Sequence, residues 1–212
     1  MEHALSPAAE TLILNAEVGS PDEYSPRPDW PGGSSGVTIG VGYDLGYMGP
    51  AAVATDWGPH LPAAAVKRLQ QVAGIKGDPA RAAADALHDL SVPWDAAKAV
   101  FDACDVPRTI AETVSAFPGS GSLPADSFGT LVSLVFNRGA LISSTDPAVA
   151  LRRIEMAQIR DAITQNRAAD VPAYLRAMTR LWPPGAGEDG LRARRNAEAQ
   201  LFAQGIASAG TA

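Results

Sequence analysis

One glutamate stands where a general acid could work. Glu17 follows Ile13 by four residues, which places it on or beside the apolar stripe of a first helix that ends at Gly19. At the last turn it faces the negative end of the helix dipole, and partial burial beside the stripe penalises the charged form. Both effects favour the protonated carboxyl that a general acid requires. The alternative is an ordinary surface glutamate on a frayed helix end.

A glycine-rich segment carries two further polar side chains. Residues 37–46 alternate between apolar positions and polar or glycine positions, as a strand does, and Thr38 and Asp44 share the polar side. Bare backbone between them would let a ligand approach closely, although the glycines could equally serve only a tight hairpin or bulge. In one extended strand the two residues would lie roughly 20 Å apart, at ~3.3 Å per residue. We therefore predict a turn or bulge at residues 40–42.

The other reactive residues support no competing site. The hairpin glycines lack the third glycine of a dinucleotide-binding loop, and the sequence has no Walker loop or serine-hydrolase elbow. His3, His60 and His88 show no paired metal-ligand spacing, so these residues predict no metal site. The single cysteine, Cys104, is expected to be a small buried residue of a helix; as a catalytic thiol it would need His60 or His88 nearby.

Composition and charge narrow the class of protein. A chain of 212 residues with 46% hydrophobic content can bury a core. Its net charge of −6 argues against a nucleic-acid partner, and it gives no long-range attraction to an anionic surface. Residues 1–17 have no positive region before an apolar run, and no stretch is long enough to span a bilayer. We therefore expect neither a signal peptide nor stable membrane association.

The elements that would position these residues are mostly helical. Ser6 can cap the first helix and Pro7 suits its first position, whereas residues 20–36 form a loop rich in proline and glycine. Helices are predicted near residues 62–73, 79–90, 94–104, 107–116, 125–137, 147–165, 170–181 and 189–204, with 128–136 central and buried. The sequence thus predicts one α+β domain over 1–212, mainly α, with a small hairpin region at about 30–48 and a helical lobe at about 60–205.

A charged segment near the carboxyl end has two possible roles. Arg192, Arg194 and Arg195 lie close to Glu198 in a predicted helix. This pattern favours a solvated helix face. One of the arginines could instead reach a cleft and orient a carboxylate.

Four segments together resemble one known family. They are Asn-Ala-Glu17-Val-Gly at a helix end, the hairpin sequence Gly33-Ser-Ser-Gly-Val-Thr38-Ile-Gly-Val-Gly-Tyr43-Asp44-Leu-Gly, Leu-Val-Phe-Asn-Arg-Gly at 134–139, and Gly-Leu-Arg-Ala-Arg-Arg-Asn-Ala-Glu at 190–198. The combination resembles the phage-type lysozymes, especially their pesticin-like muramidase branch. That family has a catalytic Glu at the end of helix one and a Thr in a T-I-G-x-G hairpin, and the pesticin-like branch has an Asp six residues after the Thr.

The resemblance implies a lysozyme-like fold and hydrolysis of the β-1,4 bond between N-acetylmuramic acid and N-acetylglucosamine in peptidoglycan. Glu17 would protonate the leaving oxygen. Asp44 would stabilise positive charge or, with Thr38, position the attacking water. The residues implied to contact the glycan are Tyr43, Asn137 and Arg138. No metal or cofactor is implied.

Several alternatives stay open. Many phage lysozymes carry the second carboxylate before the Thr and a His after the T-I-G-x-G motif, where Tyr43 stands here. The loop offers Asp22, Glu23 and Asp29 as rival second carboxylates. Cleavage with inversion or through a covalent intermediate is possible. A lytic transglycosylase, which needs a single Glu, and a non-catalytic wall-binding or structural protein are the other candidate functions.

The resemblance also implies a place of action. The chain would be made in the cytoplasm without a signal peptide and would act as a monomer on glycan strands in the periplasm or cell wall. A phage endolysin would reach them through a holin pore. A secreted antibacterial toxin would be delivered by a secretion machine and would be accompanied by an immunity protein.

Overall fold

Helices make up most of the chain, as the sequence predicts. The computed structural model describes residues 4–185 and 189–210; it is 65% helix and 2% strand, with one small two-stranded antiparallel sheet. The prediction of a mainly α protein with a small hairpin is therefore confirmed. Contacts divide the chain into two compact units, one of residues up to Ala16 with those from Arg108 onward, the other Glu17–Pro107. The single domain over 1–212 stays a prediction.

The regular elements are numbered in chain order. They are α1 Pro7–Val18, β1 Thr38–Ile39, β2 Tyr43–Asp44, α2 Pro50–Trp57, α3 Ala63–Val72, α4 Asp78–Asp85, α5 Trp94–Val100, α6 Val106–Ala116, α7 Ala125–Arg138, α8 Pro147–Leu151, α9 Ile154–Thr164, α10 Val171–Ala177 and α11 Asp189–Ala209. A π-helical turn spans Phe101–Asp105, and 3-10 turns span Leu45–Tyr47, Ser120–Ser122, Ala168–Asp170 and Met178–Leu181.

Two helices differ from the prediction for local reasons. The helix predicted over 147–165 is interrupted, because the guanidinium groups of Arg138 and Arg180 take the carbonyl oxygens at the end of α8 and thereby cap it. The short helix α2 was not predicted, although Pro50 at its first position is a usual helix start.

In the unit Glu17–Pro107, one side of the hairpin forms part of the core. The odd-numbered side chains from Val37 to Leu45 are at most 2% exposed. The Tyr43 ring packs edge-on against the buried Trp57, with ring centroids 5.4 Å apart. Because side chains alternate along a strand, the even-numbered Thr38 and Asp44 lie on the other side, where both are partly exposed. The hairpin therefore has one buried and one solvent-facing side.

In the other unit, α7 is the central buried helix that the sequence predicts. All nine residues Ser127–Val135 are buried. Helix α11 lies so close to α7 at Gly205 that a β-carbon there would collide with Ser127. The Ser127 hydroxyl also donates to the Phe202 carbonyl oxygen at 2.8 Å. Apolar residues of α9 and α10 complete this core.

The charged segment of α11 is buried, so the prediction of a solvated helix face is wrong. Arg194, Arg195 and Glu198 are 5%, 0% and 0% exposed, and Arg192 is half-buried. Glu198 Oε1 accepts hydrogen bonds from Arg195 Nη2 at 2.7 Å and from Ser133 Oγ at 2.8 Å. Arg194 Nη2 donates to the Ser133 carbonyl oxygen at 3.1 Å. Charges that compensate one another and are hydrogen-bonded can leave water in this way.

The remaining reactive residues are dispersed. Cys104 is only half-buried in its π-helical turn, which is less than expected. Within the described residues, no group of three or more His, Cys, Asp or Glu side chains could hold a metal ion; His3 lies outside these residues. No helix in the described part of the chain is long and apolar enough to cross a membrane.

Candidate functional site

The hairpin turns where the sequence predicts. β1 and β2 pair antiparallel, and residues 40–42 connect them with φ of +60° at Gly40 and +71° at Gly42. Glycine favours this left-handed region because it has no β-carbon. A β-carbon at Gly40 would also lie only 2.9 Å from Trp57 Cη2. Gly40 therefore serves the turn and the packing of Trp57, and the predicted turn is confirmed.

The turn brings Thr38 and Asp44 directly opposite each other. Thr38 exchanges both of its backbone hydrogen bonds with Asp29, on the side away from β2, and Leu45 N donates to Val37 O at 2.9 Å. Thr38 and Asp44 are therefore a non-hydrogen-bonded pair, the type in which the side chains stand closest. Their β-carbons are expected about 4.5–5.5 Å apart, and both side chains point to the solvent-facing side.

Asp29 adds a second carboxylate beside Thr38. Its backbone nitrogen donates to Thr38 O at 3.0 Å, and Thr38 N donates to Asp29 O at 2.7 Å. Residues directly opposite in an antiparallel pair place their side chains on the same side. Thr38 consequently stands between two carboxylate-bearing residues, Asp29 and Asp44. Of the three rival carboxylates in the loop, Asp29 is the one that the structure joins to the hairpin by this backbone pairing.

The Asp44 carboxylate is anchored by backbone N–H groups. Its Oδ1 accepts hydrogen bonds from Gly36 N at 2.9 Å and Gly46 N at 2.8 Å, and it caps the 3-10 turn Leu45–Tyr47. A β-carbon at Gly36 would collide with the backbone of Gly46, so both positions require glycine. Oδ2 accepts no hydrogen bond from any described residue, which leaves it available for water or a ligand. The sequence does not show this anchor, because Gly36 meets Asp44 and Gly46 only once the hairpin has folded.

Helix α1 places Glu17 as predicted. Ser6 Oγ accepts a hydrogen bond from Ala9 N at 3.2 Å, and α1 then starts at Pro7. The helix ends at Val18, so Glu17 occupies its last turn, where the side chain is half-buried. Gly19 follows with φ of +74°, as expected after a helix end.

The other two loop carboxylates lie just beyond α1. The carboxylate of Glu23 lies over Gly19, where a β-carbon would collide with it, and Glu23 N donates to Ser20 O at 3.0 Å in a turn. The Asp22 side chain is exposed in the same turn.

Tyr43 does not fit the predicted contact with a glycan. Its side chain is 2% exposed, and its hydroxyl donates to Asp56 Oδ2 at 2.8 Å. It lies on the buried side of the hairpin, opposite to the side of Thr38 and Asp44. Its role in the structure is packing against Trp57.

Asn137 and Arg138 belong to the other compact unit, at the end of α7. The Arg138 Nη2 atom donates to the Arg152 carbonyl oxygen at 2.6 Å, and its guanidinium carbon lies 5.4 Å from the centre of the Trp182 ring. Burial, and then neighbouring guanidinium groups, lower the pKa of Arg138 to about 10. These contacts give Arg138 a structural role within its unit. Asn137 is half-buried.

The unit that holds Glu17, Thr38 and Asp44 is acidic. Residues 17–107 contain six Lys and Arg and twelve Asp and Glu, an excess that equals the net charge of −6 of the whole chain. No long-range attraction therefore draws an anionic polymer to this unit, and any local cation gains importance.

No family model matches this chain, and no curated protein is significantly similar to it.

Proposed function

We propose that the protein is a peptidoglycan muramidase with a lysozyme-like fold, similar to the phage-type lysozymes and their pesticin-like branch. It cleaves the β-1,4 bond between N-acetylmuramic acid and N-acetylglucosamine. The observation that carries the proposal is the pairing of Thr38 with Asp44 on the solvent-facing side of the hairpin, six positions apart in the chain. Glu17 belongs to the same compact unit, at the end of the first helix, as in the family that the sequence resembles.

Glu17 acts as the general acid. It stands in the last turn of α1, where its side chain is half-buried. It donates its proton to the glycosidic oxygen as the bond to the leaving sugar breaks. No metal or organic cofactor takes part in this scheme.

Asp44 and Thr38 hold the attacking water. The backbone N–H groups of Gly36 and Gly46 fix Oδ1, so that Oδ2 has a defined position and can accept a proton from a water molecule. The Thr38 hydroxyl, on the directly opposite residue, supplies a second contact to that water. A water held by a carboxylate attacks the face opposite to the leaving group, so the scheme gives inversion of the anomeric carbon.

Analysis of the cleavage products tests the reaction class. We expect muropeptides released from purified peptidoglycan to carry reducing ends with one added water, and proton NMR of early products to show the inverted α-anomer. Anhydro ends would identify a lytic transglycosylase instead. Retained β-anomers would show that Asp44 is a nucleophile and not the holder of a water.

A further inference from the structure

An exposed aromatic side chain stands three residues after Asp44. Tyr47 is 61% exposed, whereas Leu45 and Gly46 before it are buried. The ammonium nitrogen of Lys76 lies 3.6 Å from the centre of the Tyr47 ring. A ring beside an ammonium group offers both an apolar face and a positive charge.

The Tyr47 backbone is held by the same anchor as Asp44. Tyr47 ends the 3-10 turn Leu45–Tyr47, whose cap is the Asp44 carboxylate, at 2.8 Å from Gly46 N. The Lys76 side chain packs over Gly46, since a β-carbon there would lie 2.9 Å from Lys76 Cγ. The backbone of Tyr47 and the stem of Lys76 therefore lie next to Gly46, whose N–H group binds the Asp44 carboxylate.

The residues on either side of Lys76 form backbone hydrogen bonds to the hairpin region. Gly74 N donates to Leu45 O at 2.9 Å, and Gly77 N donates to Ser35 O at 2.9 Å. These hydrogen bonds tie residues 74–77 to the segments on either side of the Asp44 anchor. Lys76 thus has a defined place on a rigid backbone, which is what a binding residue requires.

Lys76 differs from other cations of this acidic unit. Arg68 forms a paired hydrogen bond with Asp89, and Lys98 contacts Asp102. In the described part of the chain, Lys76 instead lies over a ring and pairs with no carboxylate. Its ammonium has three donors and can accept an anionic partner from a ligand.

We propose that Tyr47 and Lys76 form a subsite for the carboxylate-bearing sugar of the glycan. The Lys76 ammonium binds the lactyl carboxylate of N-acetylmuramic acid, and the Tyr47 ring contacts the apolar face of the sugar. The subsite rests on the proposed function, because it names the sugar that the same site selects. It explains how an acidic unit recognises an anionic glycan through one local cation.

Binding in a Glu17→Gln background tests the subsite without cleavage. Calorimetry would compare peptide-free strands that alternate N-acetylglucosamine and N-acetylmuramic acid with chitooligosaccharides of equal length, which lack the carboxylate. Lys76→Met keeps the stem over Gly46 and removes the charge. Lys67→Met is the matched control, since Lys67 is an exposed lysine on α3 of the same unit.

We expect Lys76→Met to raise the Kd for the muramic-acid strands about two- to fivefold, the range for one exposed charge contact, and to leave the Kd for chitooligosaccharides unchanged. Lys67→Met should change neither value, Lys76→Arg should restore binding, and Tyr47→Ala should weaken both glycans.

The subsite is refuted if the two lysine-to-methionine variants behave alike, if Lys76→Met weakens both glycans equally, or if the muramic-acid strands do not bind. Cleavage of peptidoglycan by the wild type is measured separately. If binding depends on the muramic-acid carboxylate but the wild type does not cleave peptidoglycan, the proposed function is refuted and the proposal of the subsite is supported. Cleavage without any effect of Lys76→Met would refute the subsite alone.

Discussion

The two oxygens of the Asp44 carboxylate differ in their hydrogen bonds. Oδ1 is committed to the N–H groups of Gly36 and Gly46, whereas no described residue donates to Oδ2. An asparagine at this position can keep one oxygen for the two N–H groups while it removes the charge and the second acceptor. The structural and the proposed chemical role of the residue can therefore be separated.

Asp44→Asn should lower kcat on peptidoglycan glycan strands at least about 100-fold, the usual loss when a general base is removed. Its melting temperature should change little, because the amide oxygen still caps the turn. Asp29→Asn is the matched comparison, since Asp29 flanks Thr38 on the other side. We expect it to alter kcat less than about threefold, within the range of a minor electrostatic effect. A larger loss in Asp29→Asn than in Asp44→Asn would reverse the assignment.

At the scale of elements, the close approach of two backbone segments holds the candidate site together. Gly36 and Gly46 are buried against each other, and no β-carbon fits between them. Their N–H groups converge on one carboxylate oxygen. The position of the Asp44 carboxylate at the start of the 3-10 turn consequently depends on this contact.

Gly36→Ala should destabilise the protein by about 1–3 kcal/mol, the usual effect of overpacking, and should lower activity by displacing Asp44. Gly49→Ala is the control, because a β-carbon there meets no atom within 4 Å and φ is −85°. Urea denaturation and rates of glycan cleavage would be measured for both variants. Full stability and activity of Gly36→Ala would show that the backbone contact does not fix the carboxylate.

Elements with strong local signals could be predicted from the sequence. Ser6 and Pro7 mark the start of α1, and the turn at 40–42 follows from its glycines and from the distance between Thr38 and Asp44. The burial of Tyr43 also has a signal, since it continues the odd-numbered apolar side of the hairpin.

Features that depend on distant partners could not be predicted. Glu198 is buried where Ser133 of another helix and two arginines of its own helix donate hydrogen bonds to its Oε1 atom. No local pattern distinguishes such a cluster from a solvated charged face. The pairing of Asp29 with Thr38 is likewise a tertiary contact across an irregular loop.

At the scale of the whole molecule, charge is unevenly distributed. The unit Glu17–Pro107 holds the whole excess of negative charge, and the rest of the chain has equal numbers of Arg and of Asp and Glu. Peptidoglycan is itself anionic through its carboxylates. Long-range repulsion should therefore slow association, in contrast to the steering that a basic protein would gain.

The rate of peptidoglycan lysis should rise as salt increases from about 10 mM to about 150 mM, because the Debye length falls from about 30 Å to about 8 Å and screens the repulsion. Binding of an uncharged chitooligosaccharide to Glu17→Gln, followed in parallel, should not change. A lysis rate that falls over this range would contradict the account, since it would show net attraction between the protein and the wall.

The central claim is that Glu17 is the acid of a peptidoglycan hydrolase. Loss of turbidity of purified peptidoglycan, measured for the wild type, Glu17→Gln and the exposed-site control Glu112→Gln, tests it most directly. We expect the wild type and the control to clear the suspension. Glu17→Gln, folded by circular dichroism, should be slower by at least about 100-fold. Clearing by Glu17→Gln at the wild-type rate, or no clearing by the wild type, would contradict the claim.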